Sequence, residues 1–154
     1  MYWILAIMAA IAASLIALVV GGLVTPAEYR AVRRIRLRRP VGEVRALLED
    51  LAAYDRWAPS PTTMVRESST DADVIALRVT DDDTKSQQLW EWRIDGDATS
   101  RSESSTVTLM ECGRVGNPVT RFFAALRGHG GGAERTLRAL AEHFDEFGVS
   151  VERL

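Results

Sequence analysis

Twenty-three residues, Tyr2 to Val24, carry no charge and no proline, and no other stretch constrains the chain as strongly. The least apolar members of the run are Ser14, Gly21 and Gly22. As a helix it spans about 35 Å at 1.5 Å per residue, enough for a hydrocarbon core of about 30 Å. Tyr2 and Trp3 stand where an interfacial aromatic anchor belongs, and Thr25-Pro26 ends the helix. A cleaved signal peptide is the main rival. Against it, no Lys or Arg precedes the run, the run is long, and no small-x-small cleavage site follows. A buried soluble helix fits poorly with such length and uniformity. The expectation is a single-pass transmembrane helix over 1–24 and a separate domain over 25–154.

About 130 residues then remain for the soluble part, enough to bury roughly two thirds of its unfolded surface without a staple. Cys112 is the only cysteine, which excludes an intramolecular disulfide and a cysteine-based metal site. Charge is distributed unevenly. Thr25 to Trp57 holds eight Arg against five acids, whereas Ala58 to Asn117 holds six basic residues against eleven acids. The basic part lies beside the apolar run. That suits a domain next to an anionic lipid surface and argues against a nucleic-acid partner, which calls for a chain basic overall. Arg30, Arg33, Arg34, Arg36, Arg38 and Arg39 closely follow the apolar run, so the positive-inside rule puts the domain in the cytoplasm. The alternative is that these arginines form the solvated face of a strand.

The order of elements follows from periodicity. Tyr29–Arg38 alternates, with Ile35 and Leu37 on one side and Arg34, Arg36 and Arg38 on the other. Val41–Asp50 reads as a helix with Val44, Leu47, Leu48 and Leu51 on one face, and Ala52–Trp57 as another helical turn stopped by Pro59 and Pro61. Strands are expected at Thr62–Ser68, Val74–Thr80, Gln87–Ile94 and Ser104–Cys112. Asn117-Pro118 pairs a good N-cap with a good first helical residue. Val119, Phe122, Phe123 and Leu126 then form an apolar stripe, and Leu137, Leu140, Ala141, Phe144 and Phe147 a second. The two stay in phase across Gly128 to Gly132, as if one helix ran through. Each interior glycine costs about 1 kcal/mol against alanine. A kink, a frayed middle or close packing is therefore expected there.

This order resembles the START-like (SRPBCC) superfamily, specifically its membrane-anchored polyketide cyclase/dehydrase-like members. The segments that carry the resemblance are Arg39-Pro40-Val41-Gly42-Glu43-Val44, Leu51-Ala52-Ala53-Tyr54-Asp55-Arg56-Trp57, Trp90-Glu91-Trp92, Val107 to Gly113, and Asn117-Pro118-Val119-Thr120-Arg121-Phe122-Phe123. It runs from about Tyr29 to Phe147. It implies an α+β helix-grip fold, a curved antiparallel sheet around a long C-terminal helix with an apolar cavity between them. Relatives of this kind bind lipids, sterols or polyketide-like molecules, and some catalyse cyclisation or dehydration. Three departures stand out: a short region between Trp57 and Trp90, Gln87-Gln88-Leu89 where relatives carry glycines, and a long glycine break at 128–132.

On that basis the leading expectation is a membrane-anchored domain that binds a lipid or other hydrophobic small molecule, with no cofactor and no metal. The ligand-lining set is Trp57, Leu77, Trp90, Trp92, Leu109, Glu111, Phe122, Phe123 and Leu126. The alternatives are a cyclase/dehydrase-like enzyme with Glu111 as acid/base, or an interaction module with a filled core. Strand alternation puts Glu111 on the face of Val107 and Leu109, where a carboxylate is partly desolvated unless paired. Arg121, one turn into the next helix, is offered as its partner, which makes the competing reading a strand-end ion pair. His129 and His143 lack ligand spacing, and Asp81-Asp82-Asp83 lacks the glycine and glutamate of a calcium loop. The tryptophans more often fill a core than line a pocket.

Overall fold

The computed structural model describes residues 2–59, 62–69, 71, 73–81, 87–96 and 104–154. In chain order the elements are α1 (Tyr2–Val24), β1 (Glu28–Leu37), α2 (Val41–Glu49), α3 (Leu51–Trp57), β2 (Thr62–Glu67), β3 (Val74–Asp81), β4 (Gln87–Gly96), β5 (Ser105–Arg114), α4 (Pro118–Arg127), α5 (Gly131–His143) and β6 (Glu152–Arg153). They divide into two compact units, one formed by 1–29 with 114–129 and the other by 30–113 with 130–154.

The larger unit is the α+β helix-grip arrangement. Its sheet has the order β2-β3-β4-β5-β1-β6, with consecutive hairpins antiparallel from β2 to β5. Strand alternation sets the inner face. Ile75, Leu77 and Val79 of β3, Trp90, Trp92 and Ile94 of β4, and Val107, Leu109 and Glu111 of β5 are all buried. Register aligns them in rows: Leu77–Trp90–Glu111 across three strands, then Ile75–Trp92–Leu109, then Ile94–Val107. Val44 and Leu48 of α2, Tyr54 and Trp57 of α3, and Leu137, Leu140 and Ala141 of α5 close over these rows in one continuous cluster.

Each end of α5 meets a side chain of suitable charge from outside the helix. At its N-terminus the buried Glu111 carboxylate accepts the Ala133 N–H at 2.9 Å. At its C-terminus the Arg39 guanidinium donates to the Phe144 carbonyl at 3.1 Å and lies 5.5 Å from the Phe144 ring centroid. A helix exposes unpaired N–H groups at one end and carbonyls at the other, and its dipole favours an anion at the first and a cation at the second. Strand β5 and the β1–α2 junction supply both.

The expected in-phase helix is divided. α4 ends at Arg127, Gly128 and Gly130 take positive φ of 81° and 91°, and α5 starts at Gly131. Two positive-φ glycines on either side of His129 allow a turn that an α-helix cannot contain. The apolar stripe of α5 ends at Phe144, since Phe147 lies past the helix and is 75% exposed. β1 carries a second departure. Arg33 lies on the inner parity with Ala31, Ile35 and Leu37 and is buried, so the arginines of this strand are not all outward. The short β6 was not expected. Asp82 and Asp83 of the aspartate run lie outside the described residues, as do residues 97–103.

Gly130 is held on two counts. A Cβ there would fall 2.7 Å from the Ala31 Cβ and 2.8 Å from Arg33 Nη2, and an L-residue at this left-handed φ costs about 1–2 kcal/mol. Gly130→Ala is expected to lower the unfolding midpoint by several degrees or more. Gly131→Ala, in open space with ordinary helical φ, is expected to raise it slightly. Thermal unfolding of both variants checks the contrast.

The smaller unit pairs α1 with α4. α1 is long and apolar enough to cross a membrane, and almost all of it is exposed. The two helices meet at Gly21 and Gly22. A Cβ at Gly22 would overlap the Pro118 carbonyl, and one at Gly21 would fall 2.8 Å from the Phe122 ring. Asn117 caps α4 as its sequence predicts, its Oδ1 accepting the N–H groups of Val119 at 2.9 Å and Thr120 at 3.3 Å. Arg121 then draws the unit together. Its guanidinium donates to the carbonyls of Gly22 and Thr25 at the end of α1, and to those of Val115 and Gly116 in the loop before α4. A cation thus satisfies carbonyls at the α1 C-terminus, again where the dipole favours one.

Candidate functional site

Of the nine residues expected to line a ligand site, six come together on the inner face of the larger unit. Trp57 ends α3, Leu77 is on β3, Trp90 and Trp92 on β4, and Leu109 and Glu111 on β5, all buried. Phe122, Phe123 and Leu126 belong to α4 in the smaller unit, with Phe122 over Gly21 and Phe123 and Leu126 exposed.

The six are organised by aromatic contact. Trp92 has Trp90 at 6.2 Å and Trp57 at 6.5 Å between ring centroids, both edge-on, and Trp57 in turn has Tyr54 at 4.6 Å. Edge-on geometry sets the positive rim of one ring against the negative face of the next. Within this chain of rings three donors, Tyr54 Oη, Trp57 Nε1 and Trp92 Nε1, are buried with no hydrogen-bond partner among the described residues. Burial pushes the Tyr54 phenol well above its usual range, so it remains a neutral donor at physiological pH. Tyr54 is absent from the expected set. Its place three residues before Trp57 on the same short helix was the available signal.

Glu111 lies in the row beside Trp90, and its Oε2 is bonded to α5. Gly132 makes room for the carboxylate, since a Cβ there would stand 3.2 Å from Oε2. The Arg121 guanidinium is taken up by four backbone carbonyls. Cys112, the next residue, points to the opposite face. Burial, with the Glu91 carboxylate adding to it, raises its thiol above the usual range despite Arg30 nearby, which makes it a poor nucleophile. His129 stacks on Tyr29 at 4.4 Å, and His143 is exposed beside Phe144. Among the described residues no three His, Cys, Asp or Glu side chains are grouped to hold a metal ion.

Two open grooves among the described residues lie elsewhere on the larger unit. One of about 670 Å³ is bordered by Arg36, Arg38, Ser104 and the Asp145–Val149 turn. Another, of about 410 Å³, is bordered by Arg34, Arg36, Thr106 and Val149.

No protein-family model matches the chain, and no curated protein does. Among solved structures it is similar to the Zhui aromatase/cyclase of Streptomyces sp. R1128. That match has 13% identity over 77% of this chain and 94% of the other, with a TM-score of 0.48. A protein from Thermobifida fusca matches at 17% identity over 80% and 96%, with a TM-score of 0.44. A conserved protein from Geobacillus kaustophilus matches at 11% over 80% and 99%, with a TM-score of 0.43. At these values none of them assigns an activity, and the fold rests on the sheet order and on the helix packed across it.

Proposed function

We propose that this chain is a single-pass membrane-anchored domain that binds a lipid or other hydrophobic small molecule between the inner face of its sheet and α5. The observation that carries the reading is the set of unmatched donors on Tyr54, Trp57 and Trp92. A buried donor left without a partner costs about 1–3 kcal/mol, so three in one aromatic cluster favour an acceptor there, from a ligand or from ordered water. A mostly apolar molecule with one or two oxygens supplies such an acceptor and suits the surrounding rings. α1 supports the membrane half of the reading through its length, its composition and its exposure, and the run of Arg after it supports a cytoplasmic domain.

Full-length protein purified from membranes, extracted with organic solvent and analysed by mass spectrometry, tests this. The expected result is a near-stoichiometric apolar molecule bearing oxygen, with less of it recovered from a Tyr54→Phe/Trp57→Phe double variant. Recovery of no such molecule from a folded preparation would overturn the binder in favour of an interaction module with a filled core. A cyclase/dehydrase-like activity through Glu111 is the other reading. For that role the carboxylate would have to release the α5 N-terminus or act with one oxygen still bonded to it.

A further inference from the structure

On the anchored reading, we infer that α4 is a second membrane contact, an interfacial helix that lays Val119, Phe123 and Leu126 into the headgroup region beside the C-terminal end of α1. These three residues recur at i, i+4 and i+7, one stripe of a helix. They are 37%, 41% and 69% exposed. The stripe is not the surface that packs on α1, which uses Pro118 and Phe122. Arg121, on another side of α4, is occupied by the α1 carbonyls. An apolar face is therefore left outward on a helix that is already fixed to the anchor.

The depth of that fixation identifies the occupant. The crossing is at Gly21 and Gly22, two or three residues before α1 ends at Val24. At 1.5 Å per residue it lies about 3–5 Å inside the end of the apolar run. Interfacial helices bury their apolar face about 5–10 Å into the boundary between headgroups and acyl chains. The first turns of α4, where Pro118 and Phe122 meet α1, thus stand near the level where such a face is stable. Arg127 closes the helix with its guanidinium 5.9 Å from the Phe123 ring centroid, a pairing that suits anionic headgroups. The glycines at 21 and 22 and the four-carbonyl clasp of Arg121 then have a purpose: they hold α4 at this depth.

Site-directed spin labelling of the full chain tests the inference. Nitroxides are placed at Leu126→Cys, Phe123→Cys and Thr120→Cys in a Cys112→Ser background, with Leu15→Cys in α1 as reference. The protein is reconstituted in nanodiscs of zwitterionic and anionic phosphatidyl lipids in a 3:1 ratio. Collision with oxygen is compared with collision with a water-soluble nickel chelate. The expected result is several-fold more oxygen than nickel contact at 15, 123 and 126, and the reverse at 120. A lipid signal at 15 with an aqueous signal at 123 and 126 would overturn the interfacial helix and leave the anchor standing. Screening of 123 and 126 from both reagents would overturn it in favour of a protein partner. An aqueous signal at 15 would remove the anchor itself, and this inference with it.

Discussion

Trp92→Ala is expected to be the most damaging single truncation in the domain. Trp92 is fully buried in the middle of β4, with Ile75 and Leu109 beside it in register and the rings of Trp57 and Trp90 edge-on to it. Removing a buried indole forfeits its transfer energy and leaves a cavity that packed neighbours only partly fill, at a cost of about 3–5 kcal/mol. For a domain of about 100 residues each kcal/mol moves the midpoint by about 4–8 °C, so a loss of at least about 12 °C is expected. Calorimetry of the full chain in detergent reads this, with α1 as a common background. Trp92→Phe separates packing from hydrogen bonding, because it keeps most of the ring but deletes the unmatched Nε1. A phenylalanine variant as unstable as the alanine one would show that the donor is already satisfied in the folded protein, against the ligand reading. A variant that stays close to the parent in stability but loses co-purifying ligand is the expected outcome.

The strand residues were legible because alternation is a direct consequence of the pleat. Ile75, Leu77, Trp90, Trp92, Val107, Leu109 and Glu111 all lie on the face that period two assigns them. The Asn117-Pro118 cap was legible for the same reason, since its chemistry is local. What the sequence did not disclose is non-local. Arg33 has the same parity as Ile35, yet charge argued for the outside, and only tertiary packing decides between the two. The glycines at 128 and 130 adopt positive φ, which ends one helix and starts another, whereas an apolar stripe in phase on both sides cannot reveal a break. The occupations of Arg39 and Arg121 depend on where helix ends arrive, over 105 residues from Arg39 to Phe144 and 99 from Arg121 to Gly22. Neither distance has a sequence signature. Tyr54 was overlooked because a tyrosine in a short helix reads as packing until its hydroxyl is found without a partner.

Glu111→Ala is expected to be the second large loss, and its pattern distinguishes structure from chemistry. The carboxylate is buried, and its Oε2 receives the Ala133 N–H at the third position of α5. Alanine removes the acceptor and leaves a buried helix-terminal N–H without its bond. Hydrogen bonds to charged groups are worth about 1.5–3 kcal/mol, and a loss of that size is expected in thermal or denaturant unfolding. Glu111→Gln keeps an oxygen at the same reach and gives up the charge at the helix N-terminus, where the dipole effect is about 0.3–1 kcal/mol at exposed positions and up to about 2 when partly buried. The order parent, then glutamine, then alanine is therefore expected. Gly132→Ala approaches the same bond from the other side: its Cβ presses on Oε2 at 3.2 Å, so its effect should shrink when combined with Glu111→Ala, as neighbouring sites couple. Stability unchanged in Glu111→Ala would mean that the carboxylate does not hold α5. Under the acid/base alternative, glutamine would abolish turnover while leaving the fold nearly intact. Under the structural role, ligand recovery from the glutamine variant follows the folded fraction and nothing else.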